Sequence, residues 1–388
     1  GIKGQFLNIL IISPWYKPNI GGVVNTIDKI IKSLIKKNNI YVLIEGSSHR
    51  IKKNNEDNGV PVYSFYKRSF SSSDHPLKAF IAFILYFMPT VLRLRRFLRE
   101  HRIDLTVINY PGANDIYFVF LKILFGEKYI VHVHGSDINL LAEQNRFVIS
   151  SVRMIIRNSS ALVACSRKLL NNTREIIKSL PARTAVIYPG INTEFAELES
   201  ENKYDLPPNY ILTLAWANEV KGPDIIIDAF SIIAEKFPEV HLVMVGGGPR
   251  EKELVKQIEN LSIQNQVIRL GTLNKEDLPN IYRNCLFGVI PSRNEGFGQV
   301  SLEFQLFKKA LIATNVGGLS ESILNNFNGL LIPPNDSKIL AEKMKYLLEN
   351  PDECRIMGEN GYKNVLENFN HEKTVMELSK LFHDTASK

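Results

Sequence analysis

Cysteine is scarce in this chain of 388 residues. There are three, Cys165, Cys285 and Cys354, far apart and outside any CxxC or Cys/His cluster. That excludes a disulfide framework and a structural zinc site, and it fits a reducing cytoplasm. Long apolar runs are missing too. The longest uncharged one, Ala79 to Leu92, contains Pro89 and falls short of the roughly 18 residues a spanning helix needs. Phe6 to Ile12 is too short for a secretory leader and reads as a first strand. No internal repeat or low-complexity segment occurs. The Gly246-Gly247-Gly248-Pro249 cluster lacks the full GxGxxG run before a helix, which argues against a dinucleotide site.

What is present describes an ordinary globular protein: 45% hydrophobic and 22% charged residues. The length predicts two domains, each with its own core. The net charge of +7 is unevenly spread. Residues 1–190 carry 27 Lys/Arg against 12 Asp/Glu, and residues 191–388 carry 20 against 28. The two halves are therefore expected to meet different things. A basic first half suits anionic lipid headgroups, a lipid diphosphate, an anionic glycan or nucleic acid. Its basic residues are dispersed and form no recognised nucleic-acid module, so no nucleic-acid partner is expected.

Asn8 to Ser13, apolar and closed by Pro14, predicts a buried parallel strand. A loop ending in Gly21-Gly22 follows, then a helix over Val24 to Lys36 (Val24, Ile27, Ile31, Leu34, Ile35), then a strand at Tyr41 to Ile44. This is a Rossmann-type order. Further strands are expected at Thr106–Asn109, Tyr129–His134, Ala161–Ala164 and Ala185–Ile187. The acidic stretch Glu194 to Asn209, ending in Pro207-Pro208, reads as an inter-domain linker. The alternation then restarts: strand Tyr210–Leu214, helix Pro223–Lys236, strand His241–Val245, the glycine cluster, a helix to Leu261, and strand Val267–Leu270.

Two glutamates eight residues apart, Glu295 and Glu303, carry the most information. The apolar run Leu286 to Ile290 leads in through Pro291-Ser292, and a helix-compatible run, Val300 to Phe307, leads out. Strand, glycine turn and helix together place backbone N–H groups at a helix start, where they and the helix dipole stabilise an anion. Carboxylates accept hydrogen bonds in pairs, which suits the vicinal hydroxyls of a sugar or ribose. Glutamates at this spacing are more often ordinary solvated helix-start acids; the surrounding pattern outweighs that reading.

The run Pro291-Ser292-x-x-Glu295-Gly296-Phe297-Gly298, then Glu303, Gly317-Gly318-x-x-Glu321 and Asn328-Gly329-x-x-x-Pro333, resembles the retaining glycosyltransferases of family 4. The resemblance extends from Gly21-Gly22 to the end of the chain. It implies an α/β, GT-B architecture with two Rossmann-like domains facing across a cleft. Residues 1–193 would bind the acceptor, residues 194–369 the nucleotide sugar, and residues 370–388 would form a helix crossing back to the first domain. It also implies a metal-independent hexosyltransferase that keeps the anomeric configuration. The donor would be a nucleoside diphosphate sugar, UDP- more than GDP-, and the acceptor a hydroxyl of a saccharide or lipid-linked molecule in surface glycan assembly. No cofactor is expected, and the enzyme would be cytoplasmic, with peripheral contact to the inner membrane face. A nucleotide-sugar-binding or regulatory protein that has lost catalysis is the alternative.

By the same resemblance, Glu303 would hold the ribose hydroxyls and Glu295 the donor sugar. Gly296, Phe297 and Gly298 would offer backbone donors, and Gly22 would face the phosphate or acceptor. Leu273, in Leu270-Gly271-Thr272-Leu273, would meet the base. Lys221 would pair with the diphosphate, whose developing charge a fixed cation stabilises. His134, in Val131-His132-Val133-His134-Gly135-Ser136-Asp137, has two readings. His132 and His134 project from one face of a strand, as metal ligands could, although no third ligand is near in sequence. In the family, a histidine at this point hydrogen-bonds the donor sugar, which leaves His132 to the core. An Asp-x-Asp pair, which metal-using sugar transferases employ, is absent.

The chain departs from the family at several points. Trp216 stands where an arginine is usual, with Ala215 before it in place of glycine, and no Arg or Lys occurs from Tyr204 to Val220. Arg293, beside Glu295, is the candidate substitute; Trp216 is expected to pack at the strand end. Asn192 replaces the usual Asp after Pro-x-Gly. Phe304-Gln305-Leu306-Phe307-Lys308-Lys309 replaces the small residues after Glu303, which is expected to alter helix packing.

The stretch Leu77 to Arg102 combines Phe80, Phe83, Tyr86 and Phe87 with Arg93, Arg95, Arg96, Arg99 and Arg102. One reading is an interfacial helix on anionic lipid. The other is a buried helix followed by a solvated basic helix packed on the sheet.

Overall fold

The computed structural model describes residues 6–17, 22–69, 76–199 and 203–387. The chain divides into two units: one runs to Tyr188 and resumes at Glu372, the other spans Pro189–His371.

The first unit contains β1 (Asn8–Ser13), α1 (Gly22–Leu34), β2 (Asn39–Glu45), β3 (Lys52–Asp57), β4 (Val60–Phe65), α2 (Pro76–Glu100), β5 (Leu105–Asn109), α3 (Tyr117–Phe125), β6 (Tyr129–Val133), α4 (Ser136–Asn139), α5 (Arg146–Asn158), β7 (Ala161–Ala164), α6 (Arg167–Ile177) and β8 (Thr184–Val186). The strands form one sheet in the order β3-β4-β2-β1-β5-β6-β7-β8, parallel throughout except for the β3–β4 pair. The inner strands are covered on both faces, which is why they read as continuous apolar runs. Ile9, Ile11, Val42, Val107, Ile130 and Val163 of the sheet pack with Ile27, Ile31 and Leu34 of α1. Helices α5 and α6 start where Asn145 and Ser166 accept the N–H of Val148 and Leu169, satisfying donors the helix cannot.

The second unit contains β9 (Tyr210–Leu214), α7 (Pro223–Ala234), β10 (His241–Val245), α8 (Glu251–Asn260), β11 (Val267–Gly271), α9 (Leu278–Asn284), β12 (Gly288–Ile290), α10 (Gln299–Leu306), β13 (Leu311–Thr314), α11 (Leu319–Ser322), β14 (Leu330–Ile332), α12 (Ser337–Glu349) and α13 (Pro351–Asn368). Its six strands lie in the order β11-β10-β9-β12-β13-β14, all parallel. That is the doubly wound Rossmann order, with its reversal between β9 and β12. The last helix, α14 (His371–Ala386), belongs to the first unit and sets Leu378, Leu381 and Phe382 into that unit's core.

Three expectations are corrected. The stretch Glu194 to Asn209 is not a free linker throughout: Phe195 is buried, its ring 6.2 Å from Tyr282 and 5.4 Å from Phe307, and Lys203 pairs with Asp277 at 2.7 Å. The two compact units divide at Tyr188–Pro189. Next, α2 is one helix with Pro89 inside it. Its basic half supplies the buried face (Val91, Leu94, Phe97, Leu98), while Ile84, Leu85 and Met88 of the apolar half are exposed. A buried apolar helix followed by a solvated basic one does not form. Third, Trp216 is not packed away at the end of β9 but 53% exposed.

The residues after Glu303 pack closely. The Phe304 ring occupies the space over Gly288, where a Cβ would lie 2.5 Å from it. The Gln305 side chain, fully buried, donates to the Ser301 and Ser322 carbonyls and accepts from Asn328 and Asn364. Among the described residues no helix is long and apolar enough to cross a membrane.

Candidate functional site

In a doubly wound sheet, the loops that leave adjacent strands on either side of the order reversal diverge and open a crevice at the strands' carboxyl ends. In the second unit these are the loops after β9 and β12. The first carries Lys221 and the second Glu295, and the Lys221 ammonium forms a salt bridge and hydrogen bond to Glu295 Oε1. Backbone contacts fix both ends of this pair. Arg293 N donates to Val220 O at 2.8 Å, and Lys221 N donates to Asn218 Oδ1 at 3.0 Å. Ser292 Oγ donates to Glu295 Oε1 at 3.2 Å.

The glycines here serve close approach. Gly298 begins α10 in the left-handed region (φ +86°), which a side chain would strain. Gly317 (φ +51°) lies so near the Glu295 carbonyl that a Cβ would sit 1.8 Å from its oxygen. Gly318 N donates to Gly296 O at 3.1 Å, tying the Gly317-Gly318 turn to the Glu295 loop. Phe297 is buried, its ring 5.5 Å from Phe369, so it anchors the loop from below.

Glu303 lies in α10, one of its oxygens taken by the hydroxyl of Tyr282 at 2.6 Å. Tyr282 is fully buried, stacked on Phe307 at 5.0 Å and edge-on to Phe304 at 4.9 Å. Burial and the neighbouring Glu303 push its phenol well above the usual range, so it remains a donor. No sequence signal singled out Tyr282; its relation to Glu303 is tertiary. Around Leu273 the chain after β11 meets the glycine cluster after β10: Gly246 N donates to Gly271 O at 2.7 Å, and Gly247 N to Thr272 Oγ1 at 3.2 Å. Leu273 itself is half-buried.

Arg293 is held on Asp224. Its guanidinium holds Asp224 through two nitrogens, at 2.9 and 2.6 Å, and also donates to Glu219 O and Asn335 Oδ1 at 2.7 Å each. Hydrogen bonding to Asp224 raises its affinity for its proton, while Arg293 holds the Asp224 carboxyl below the usual range against the effect of burial. Arg250 adds a second cation on Asp224 at 3.3 Å. Arg293 therefore staples the β12 loop to the start of α7, and its charge is matched there.

In the first unit the order reversal lies between β1 and β5, and His134 follows the next strand, β6. Its Nε2 is 3.0 Å from Asn109 Oδ1. The Asn109 amide nitrogen donates to Ile12 O at 3.3 Å, which leaves the amide oxygen to accept, so Nε2 carries the proton. Burial, reinforced by His132, lowers the affinity of His134 for a second proton well below the ordinary value. The ring is thus neutral near pH 7, with Nδ1 an acceptor. Tyr110 stacks on it at 5.3 Å, and Trp15 meets Tyr110 edge-on at 5.7 Å. The Asp137 carboxylate accepts from His134 N at 3.1 Å and Gly135 N at 2.7 Å; burial raises its pKa to about 6. His132 is buried with its ring 4.1 Å from that of His134. Among the described residues no group of His, Cys, Asp and Glu is arranged to hold a metal ion. Gly22 opens α1, and Gly21 lies outside the described residues.

Two family models match this chain. The model of glycosyl transferases group 1 matches residues 194–364, and that of Glycosyltransferase Family 4 matches residues 20–195. An uncharacterised glycosyltransferase of Methanocaldococcus jannaschii is 30% identical over 95% of this chain and 96% of its own. The N-acetyl-alpha-D-glucosaminyl L-malate synthase of Bacillus anthracis is 24% identical over 77% of this chain and 79% of its own. Among solved structures, HepE of Anabaena in complex with UDP and glucose superposes with a TM-score of 0.76 at 20% identity, covering 97% of this chain and all of HepE. Two Rossmann-like domains with these matches have one assignment: the chain is a glycosyltransferase of family 4 with the GT-B fold.

Proposed function

We propose that this protein moves a sugar from a nucleoside diphosphate sugar, UDP- before GDP-, to a hydroxyl of a saccharide or lipid-linked acceptor, with retention at the anomeric carbon and without a metal. One observation carries the reading: the Lys221–Glu295 pair at the order reversal of the second sheet. A cation and a carboxylate held there, beside the glycine-opened start of α10, match the two halves of a nucleotide sugar, anionic diphosphate and neutral polyol. Lys221 would bind the diphosphate and Glu295 the sugar hydroxyls. Glu303, oriented by Tyr282, would take the ribose. Gly296, Phe297 and Gly298 would line the phosphate, and Leu273 would lie against the base. Arg293 would order this loop and leave the phosphate to Lys221. His134, neutral, would accept a sugar hydroxyl at Nδ1, and the Gly22 end of α1 would face phosphate or acceptor.

In this reading the bond from the anomeric carbon to the β-phosphate oxygen breaks, and the acceptor oxygen bonds to that carbon on the same face. The departing diphosphate takes the acceptor's proton, so no protein nucleophile is required. The basic first half supports an anionic or lipid-linked acceptor and, with it, a place in surface glycan assembly. That HepE binds UDP supports uridine. Proton NMR of the first product formed from an α-linked donor tests it: an α-anomeric signal supports retention, and a β-signal contradicts it. Binding of the nucleotide with no turnover for any acceptor would favour a binding protein disabled at Trp216.

A further inference from the structure

Helix α2 keeps a row of large apolar side chains in solvent. Ile81, Ile84, Leu85, Met88 and Leu92 are 50, 55, 68, 46 and 51% exposed. Their spacing of three and four residues puts them on one face. The opposite face is spoken for. Phe87 packs on Tyr117 and Phe120 of α3 at 5.5 and 4.7 Å, and Val91, Leu94 and Leu98 are buried. Arg96 and Arg99 continue the exposed row toward the helix's carboxyl end, at the same spacing, and both are exposed.

Leu92, Arg95, Arg96, Arg99 and Glu100 line a surface depression of about 290 Å³. Arg95 lies over the Phe125 ring at 3.6 Å, and among the described residues its buried Nε has no hydrogen-bond partner. Glu100 pairs with Arg96 at 2.7 Å, and Glu127 lies close enough to Arg95 and Arg99 to feel their charge. At its far end α3 exposes Ile123 and Leu124.

We propose that this face of α2 is a docking surface for an anionic lipid bilayer. The apolar row would enter the boundary between headgroups and acyl chains, and the arginines would meet the lipid phosphates. Two features select this occupant over a protein partner. The apolar row grades along one helix into arginines, the order a helix lying in a membrane interface presents. The unit that carries it is also the basic one, with 27 Lys/Arg against 12 Asp/Glu in residues 1–190. The helix lies on the surface: its arginines and its packing against α3 are incompatible with spanning. This proposal stands independently of the donor chemistry.

Flotation of the full chain with lipid vesicles tests it. The protein should rise with vesicles of phosphatidylcholine containing about one third phosphatidylglycerol at low salt, less so at high salt, and not with phosphatidylcholine alone. Leu85→Glu with Met88→Glu should cut the bound fraction ~10-fold or more, and Arg96→Gln with Arg99→Gln several-fold. All four side chains are exposed, so the variants should retain the wild-type circular dichroism. Failure of the wild type to float with anionic vesicles would overturn the proposal. So would equal flotation with neutral vesicles, or a dimer in light scattering that Leu85→Glu with Met88→Glu dissolves while vesicles stay unbound.

Discussion

Lys221 and Glu295, 74 residues apart in sequence, join their charged ends across the order reversal of the second sheet. The pair is partly buried, with the lysine 32% and the glutamate 11% accessible at the side chain. Each partner holds the other at the mouth of the β9–β12 crevice before any ligand arrives, so less reorganisation is left for the moment of reaction. Lys221→Ala should lower kcat/KM by roughly 10²–10³-fold, the size of losing one preorganised charge, and should also cost stability, because it leaves the largely buried Glu295 carboxylate without its cation. Initial rates beside urea unfolding check this. A kcat/KM within twofold of wild type would refute a diphosphate role.

Tyr282 should matter through Glu303. Tyr282→Phe removes a hydroxyl bonded at 2.6 Å in a buried aromatic cluster and frees one carboxylate oxygen to turn. A stability loss of about 1–3 kcal/mol is expected by urea denaturation, with a rise in donor KM larger than any fall in kcat. An unchanged KM would show that Glu303 needs no orientation.

The first unit should lose stability in acid through His132. Burial lowers its pKa to about 4 from 6.5. Between those values the unfolded chain binds the proton and the folded chain does not. The stabilising effect is therefore full above pH 6.5 and falls away toward pH 4, by up to ~3 kcal/mol. Asp137 runs the other way. Its pKa is raised from 3.8 to about 6, so the folded form holds its proton longer and the contribution is lost as pH rises across that window. His132→Gln should flatten the acid slope and Asp137→Asn should steepen it. Of the two tryptophans, Trp15 belongs to the first unit, so melts followed by its fluorescence in a Trp216→Phe background report this unit alone. An acid slope unchanged in His132→Gln would contradict the assignment.

The three thiols should be inert in the folded protein. All are buried, and burial pushes Cys285 to about 12 and Cys354 to about 11. Cys165 donates to His134 O at 3.4 Å. Ellman's reagent should find no reactive thiol until denaturant is added, and three afterwards. Rapid labelling of the native chain would refute this.

The strands β1, β7, β9 and β10 were legible from sequence with their observed bounds, because a strand buried on both faces needs an unbroken apolar run. Strand β3, Lys-Lys-Asn-Asn-Glu-Asp, carries no such signal; it pairs antiparallel with β4 at the sheet's edge, where charge is tolerated. At the site, Glu295, Glu303 and the glycines were visible because their spacing along the chain is itself the motif. Tyr282 was not: it meets Glu303 only when α9 and α10 pack. The partner of Arg293 was equally hidden, since proximity in sequence to Glu295 said nothing about Asp224. Trp216 illustrates a general limit. A tryptophan at a strand end suggests packing, yet this ring is 53% exposed.

A thermal-shift panel of UDP, GDP, ADP and TDP and their sugars, with and without EDTA, tests the central claim most directly. One nucleotide, UDP first, should raise the melting temperature by roughly 5–10 °C at about 100 times its dissociation constant, EDTA should change nothing, and Lys221→Ala should abolish the shift. No shift with any nucleotide, or one that EDTA removes, would contradict it.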